Sequence, residues 1–159
     1  MDQGSVVVYH GNGAGKSSAA LGKAVRTAGK GGSVYIITFL KGQTDMGYIS
    51  RLEPELKIFR FERLKKSYDD MSESERIEEM QNIKNGMGFA RKVLATGECE
   101  LLVLDEVLGA VWENVLPEEE LLEALSQKSP DTSVILTGRH ATEKILKVCD
   151  VVYCINKEK

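Results

Sequence analysis

Six short apolar runs punctuate the chain, at residues 5–9, 33–39, 56–61, 100–104, 133–137 and 151–155, and helical stretches alternate with them. The runs Val34-Tyr35-Ile36-Ile37 and Leu101-Leu102-Val103-Leu104 are continuous, not alternating. Continuous runs mark strands covered on both faces, and hence a mostly parallel sheet inside an α/β sandwich. Right-handed crossovers bring the C-terminal ends of such strands to one edge, where open α/β sheets bind their ligands. The residues that close each run are therefore where chemistry is expected.

Helix signals fill the gaps. A stretch rich in Ala, Leu and Lys runs from Gly15 to about Ala28 and stops at Gly29-Lys30-Gly31-Gly32. A longer helix is predicted from Ser72, where Ser72 and Glu75 have capping-box spacing, and Ile77, Met80, Ile83, Met87, Ala90 and Leu94 form its apolar stripe. Gly86 and Gly88 interrupt that helix at a cost of about 1 kcal/mol each, which points either to a close neighbour or to a bend. Pro117 with Glu118, Glu119 and Glu120 marks another helix start, and a short helix from Thr142 to about Val148 leads into the last strand.

With 159 residues, 42% of them hydrophobic, the chain is expected to form one domain over residues 1–159. A net charge of −3 argues against general binding to nucleic acid or to a membrane surface. The cluster Arg60, Arg63, Lys65 and Lys66 is read as a solvated loop. Cys99, Cys149 and Cys154 lack metal spacing and no apolar leader opens the chain, so a reduced, cytoplasmic setting is expected. No run reaches the roughly 18 apolar residues of a membrane span. His10 and His140 are too few for a histidine metal site, although both lie beside the expected active edge.

The chemistry begins where the first run ends. Val6-Val7-Val8 leads into Tyr9-His10-Gly11-Asn12-Gly13-Ala14-Gly15-Lys16-Ser17-Ser18 and then into a helix, the context of a phosphate-binding P-loop. Glycines let the backbone N–H groups approach a polyphosphate, Lys16 adds a positive charge, and Ser17 offers a hydroxyl to Mg²⁺. The expected fold is accordingly a three-layer P-loop NTPase-like α/β domain with a mostly parallel sheet of about six strands. His10 stands where the usual motif opens with glycine, so the loop is the shorter Gly-x-Gly-x-Gly-Lys-Ser.

The fourth run ends in Asp105-Glu106, a carboxylate pair suited to holding Mg²⁺ directly or through water. One assignment puts Ser17 and Glu106 at the metal with Asp105 in support; the other makes Asp105 the ligand and Glu106 a base for hydrolysis. Lys41 after the second run and Arg139 after the fifth reach the same edge as candidate phosphate contacts.

Taken together, residues 11–22, Phe39-Leu40-Lys41-Gly42, Val103-Leu104-Asp105-Glu106 and Leu136-Thr137-Gly138-Arg139 resemble the P-loop-type ATP:corrinoid adenosyltransferases over almost the whole chain. The resemblance implies transfer of the 5′-deoxyadenosyl group of ATP to the cobalt(I) of a reduced corrinoid, with release of triphosphate. It implies Mg²⁺ or Mn²⁺ as the cation, Gly11, Asn12, Gly13, Ala14, Gly15, Lys16, Ser17 and Ser18 as the triphosphate cradle, and Lys16 and Glu106 as the groups that promote the reaction. A flavoprotein reductase and a second copy of the chain are the further partners it suggests. The chain departs from the family at Ala14, where lysine is usual, and at Ser17, where threonine is usual. It also lacks the family's aromatic pair within residues 64–71, where Tyr68 is the candidate substitute, and Trp112 lies in a different segment. The competing readings are a P-loop ATPase or small-molecule kinase, which releases ADP, and a nucleotide-binding protein without catalysis.

Overall fold

A computed structural model describes residues 4–40, 47–61, 66 and 68–159. Six strands, β1 (Val6–His10), β2 (Val34–Thr38), β3 (Leu56–Arg60), β4 (Leu101–Asp105), β5 (Ser133–Gly138) and β6 (Val151–Cys154), form one sheet in the order β3-β2-β4-β5-β1-β6. Every neighbouring pair is parallel. The register aligns the strand ends, with His10 opposite Gly138 and Thr38 opposite Asp105, so the strand C-termini share one edge. β5 lies between β1 and β4 and places Thr137 between the P-loop strand and the carboxylate strand.

Two cores flank the sheet. On one face, α1 (Lys16–Gly29) and a 3-10 helix (Gly47–Leu52) bury Ala20, Ala24 and Ile49 against Val7, Tyr9, Ile36, Val103 and Ile135. On the other, α2 (Glu73–Thr96), α3 (Val107–Trp112), α4 (Glu118–Ser126) and α5 (Glu143–Val148) cover Val8, Ile37, Leu102, Leu104, Val134 and Leu136. β4 and β5 are buried along their whole length, as their continuous apolar runs require.

β6 does not follow that rule. Val151, Val152 and Tyr153 are exposed because β6 is an edge strand, paired only with β1. Tyr153 stacks on Tyr9 at 5.3 Å, and burial, then the neighbouring Tyr153, push the Tyr9 phenol above its ordinary value.

In α2 the capping box forms as expected: Ser72 Oγ accepts from Glu75 N at 3.2 Å and Glu75 Oε1 accepts from Ser72 N at 3.0 Å. Ile83, Met87, Ala90 and Leu94 are buried, but Ile77 is 64% exposed. Each three-residue step from Ile77 through Met80 to Ile83 falls about 60° short of a full turn, so two steps carry Ile77 off the buried face. Gly86 answers to a close neighbour, since a Cβ there would lie 3.1 Å from the Phe61 ring; nothing stands within 4 Å of one at Gly88. Phe61 belongs to an aromatic cluster in which Phe89 of α2 meets Phe59 at 4.8 Å and Phe61 at 5.8 Å.

The cysteines differ sharply in environment. Cys99 is buried and its thiol is pushed up to about 12, mainly by loss of solvent; Cys149 is half-buried and rises to about 11 for the same reason. Cys154 is exposed on the edge strand. Iodoacetamide at pH 8 is therefore expected to modify one of the three thiols of the native protein, at Cys154, and all three after denaturation; intact-mass spectrometry reads the difference.

Candidate nucleotide site

The P-loop links β1 to α1 with positive φ at Gly11 (121°) and Gly15 (110°), conformations that a side chain disfavours. Packing adds a second constraint. A Cβ at Gly11 would overlap the Ile155 carbonyl oxygen, and one at Gly13 would come within 2.9 Å of the same atom, because the segment after β6 lies directly against the loop. Gly13 N donates to Ile155 O at 2.8 Å, Ile155 N to His10 O at 2.7 Å, and Gly11 N to Arg139 O at 3.1 Å. The Asn12 and Asn156 side chains interlock with backbone: Asn12 N donates to Asn156 Oδ1 at 3.3 Å and Lys157 N to Asn12 Oδ1 at 2.9 Å.

The loop therefore has two halves. The amides of Gly11, Asn12 and Gly13 are committed to protein acceptors, while the turn of Ala14, Gly15, Lys16 and Ser17 opens α1. Ala14 and Ser18 are solvent-exposed or nearly so, and Gly15 has open space where a side chain would be. Lys16 Nζ arches back over the loop and donates to Gly13 O at 2.7 Å. Its ammonium thus stands above the loop's own backbone.

Two strand ends and the start of α1 converge on one carboxylate. Asp105, 4% exposed, accepts at Oδ1 from Ser17 Oγ at 2.8 Å and from Thr137 Oγ1 at 2.7 Å. Thr137 Oγ1 also accepts from Glu106 N at 2.8 Å. The next residue, Glu106, leaves the strand in the left-handed region (φ 63°) and starts α3, which turns its side chain out of the sheet toward a cavity. α3 packs closely on β5: a Cβ at Gly138 would lie 3.0 Å from Gly109 N.

That cavity, of about 280 Å³, is lined by Leu40, Tyr68, Glu106, Trp112, Arg139 and His140, among others. The site residues expected from sequence thus fall into a loop group (residues 11–18) and a carboxylate group (Asp105, Glu106), joined by the bond from Ser17 to Asp105, with Arg139 at the cavity wall. Lys41 lies outside the described residues, as do Arg63 and Lys65. Lys66 forms an exposed ion pair with Glu75 at 3.1 Å. Thr137, Asn156 and Ile155 are the contributors that sequence reasoning missed, and so is α3, whose six residues are too few to show a period. Trp112, which sequence position alone sets apart from the 64–71 segment, shares the cavity with Tyr68.

Comparison with known proteins bears on this geometry. The family model described as ATP:corrinoid adenosyltransferase BtuR/CobO/CobP matches residues 2–159. The chain is 31% identical over 151 residues to the corrinoid adenosyltransferase of Escherichia coli K12, covering 95% of this chain and 76% of that protein. It is 32% identical over 152 residues to corrinoid adenosyltransferase CobA of Salmonella typhimurium, with the same coverage of 95% and 76%. Among solved structures, a KaiC-like protein of Pyrococcus horikoshii superposes with a TM-score of 0.62 at 16% identity, covering 98% of this chain and 73% of that one. At that identity the likeness speaks for the fold alone.

Removing the Thr137 hydroxyl should test the carboxylate node. Thr137→Val leaves the buried Asp105 oxygen with one hydroxyl donor fewer and the Glu106 amide without its acceptor, an expected destabilisation of about 1–3 kcal/mol in urea unfolding. Gly11→Ala, which is both sterically blocked and strained, is expected to cost more and to abolish nucleotide binding by calorimetry.

Proposed function

Because the chain belongs to the ATP:corrinoid adenosyltransferase family, we propose that the P-loop edge is where it holds ATP for the family's reaction. The chain is a transferase, and ATP-dependent adenosylation of a corrinoid is its activity. The observation that carries the site assignment is the hydrogen bond from Ser17 to Asp105, which joins the phosphate loop to the carboxylate strand at 2.8 Å.

The reaction asks little of a protein base. The cobalt(I) lone pair attacks the 5′ carbon of ATP, the carbon–oxygen bond breaks, and its electron pair leaves with the triphosphate. What must be supplied is in-line placement, neutralisation of the leaving group and exclusion of water. The amides at the α1 N-terminus and the Lys16 ammonium suit the second task, acting where negative charge accumulates as the bond breaks. No dedicated proton acceptor is required of the remaining residues.

A divalent cation fits the donor set. Among the described residues no group of three His, Cys, Asp or Glu side chains forms a cage of its own. A hard cation here is instead shared between phosphate oxygens and a few protein oxygens, as Mg²⁺ prefers. The Ser17 hydroxyl and the Glu106 carboxylate would hold it; Asp105, with two hydroxyls already on one oxygen, orients Ser17. When bound, Mg²⁺ or Mn²⁺ supplies charge neutralisation for the departing triphosphate.

No helix among the described residues is long and apolar enough to cross a membrane. The three free thiols suit a reducing cytoplasmic setting. A flavoprotein reductase as the source of cobalt(I), and a homodimer, complete the reading as family-based proposals.

Incubation with ATP, Mg²⁺ and chemically reduced corrinoid should yield inorganic triphosphate and a cobalt–carbon bond; release of ADP instead would move the chain to phosphoryl transfer. Lys16→Ala is expected to lower turnover by about 10²–10³-fold with an unchanged thermal midpoint, in line with loss of a preorganised charge at the leaving group. Glu106→Gln should raise the Mg²⁺ concentration needed for half-maximal rate. An unchanged requirement would transfer the ligand role to Asp105.

A further inference from the structure

Residues 155–157 leave the end of β6 and run against the P-loop, and two asparagines fasten the segments to each other. Asn156 Oδ1 accepts from Asn12 N at 3.3 Å, and Asn12 Oδ1 accepts from Lys157 N at 2.9 Å, so each side chain holds the other segment's backbone. The fit is close: a Cβ on Gly11 would lie 2.8 Å from Asn156 Oδ1. Asn156 is itself exposed. A polar side chain on the surface adds little by burial, yet this one reaches 144 positions back along the chain to the loop.

The backbone bonds between the segments, Gly13 N to Ile155 O and Ile155 N to His10 O, ask for no particular side chain. The asparagine pair is the part of the contact that depends on sequence. Glycine has more conformational freedom to lose than any other residue, so a loop that carries Gly11, Gly13 and Gly15 relies on outside contacts to keep one shape.

We propose that Asn156 is a positioning residue for the binding of ATP: acting through Asn12, it holds the P-loop in one conformation before the nucleotide arrives. The inference rests on the reading of the P-loop given above and extends the site to a residue of the last segment. The choice of side chain fits this role. Aspartate would offer the same accepting oxygen, but its negative charge would stand beside a loop that receives a polyphosphate. Asparagine supplies the oxygen without the charge. Loss of the bond frees the Asn12 amide and lets the loop sample other shapes, which weakens binding because only the competent fraction of the protein takes up ligand.

Hydrogen exchange of the full chain without nucleotide, together with calorimetric titration with Mg·ATP, tests the assignment. Asn156→Ala is expected to speed amide exchange in residues 11–13. It should weaken Mg·ATP binding about three- to tenfold, the worth of one neutral hydrogen bond, with the thermal midpoint lowered by no more than about 4 °C. In turnover the loss should appear as a raised KM for ATP with kcat kept at saturating ATP. Asn156→Asp keeps the accepting oxygen and should restore slow exchange; its Mg·ATP affinity should fall below that of the unaltered protein at low salt and match it at about 0.5 M salt, where the added charge is screened. Faster exchange with unchanged ATP affinity overturns the proposal, because the latch would then serve structure alone. So does unchanged exchange in Asn156→Ala, which would leave the backbone bonds to hold the loop by themselves. If the unaltered protein binds no Mg·ATP while exchange still responds to Asn156→Ala, the P-loop reading fails and the latch on the loop stands.

Discussion

One carboxylate oxygen joins the three segments from which the site is built. Asp105 Oδ1 receives the hydroxyls of Ser17 from α1 and Thr137 from β5, at 2.8 and 2.7 Å, and lies almost wholly out of water. A buried carboxylate is costly unless its lone pairs are satisfied, and here the satisfying groups are the ones that must be positioned. The same Thr137 oxygen takes the Glu106 amide and so sets where α3 begins. Strand order makes this possible: with β5 between β1 and β4, a single threonine spans the gap between loop and carboxylates.

The second constraint comes from the far end of the chain. The segment following β6 packs on the P-loop so tightly that Gly11 and Gly13 have no room for side chains, and it takes the amide of Gly13 while Asn156 takes that of Asn12. Two of the three glycines in the short motif are thus explained by packing within the protein and one, Gly15, by backbone conformation beside open space. A loop held this firmly on one side presents its remaining amides in a fixed direction, which is what a site acting through preorganised charge needs.

The sheet also separates two groups of residues. α1 on one face carries Lys16 and Ser17; on the other, α3 and the segment after β5 carry Trp112 and His140 to the cavity. Asp105 and Glu106, adjacent in sequence, belong to these two sides, and Glu106 takes the left-handed conformation where the strand gives way to α3. Glu106 lines the 280 Å³ cavity, and Asp105 beside it accepts from Ser17.

Much of this was present in the chain as written. Period and punctuation located all six strands to within a residue or two, the capping box at Ser72 and the first helix at Gly15, because these depend on neighbours a few residues away. The P-loop and the Asp105-Glu106 pair were legible for the same reason, as local patterns with a fixed chemistry. What lies outside local pattern is pairing across the chain. The clamp by residues 155–157 spans more than 140 positions, the Thr137 bridge spans 32, and the meeting of Trp112 with His140 and Tyr68 depends on which strands are neighbours. Ile77 and β6 look buried in sequence and are not, since burial is decided by what the rest of the fold brings against an apolar surface. Side-chain identity marked the glycine-rich loop and the carboxylate pair; strand order and packing decided which residues stand beside them.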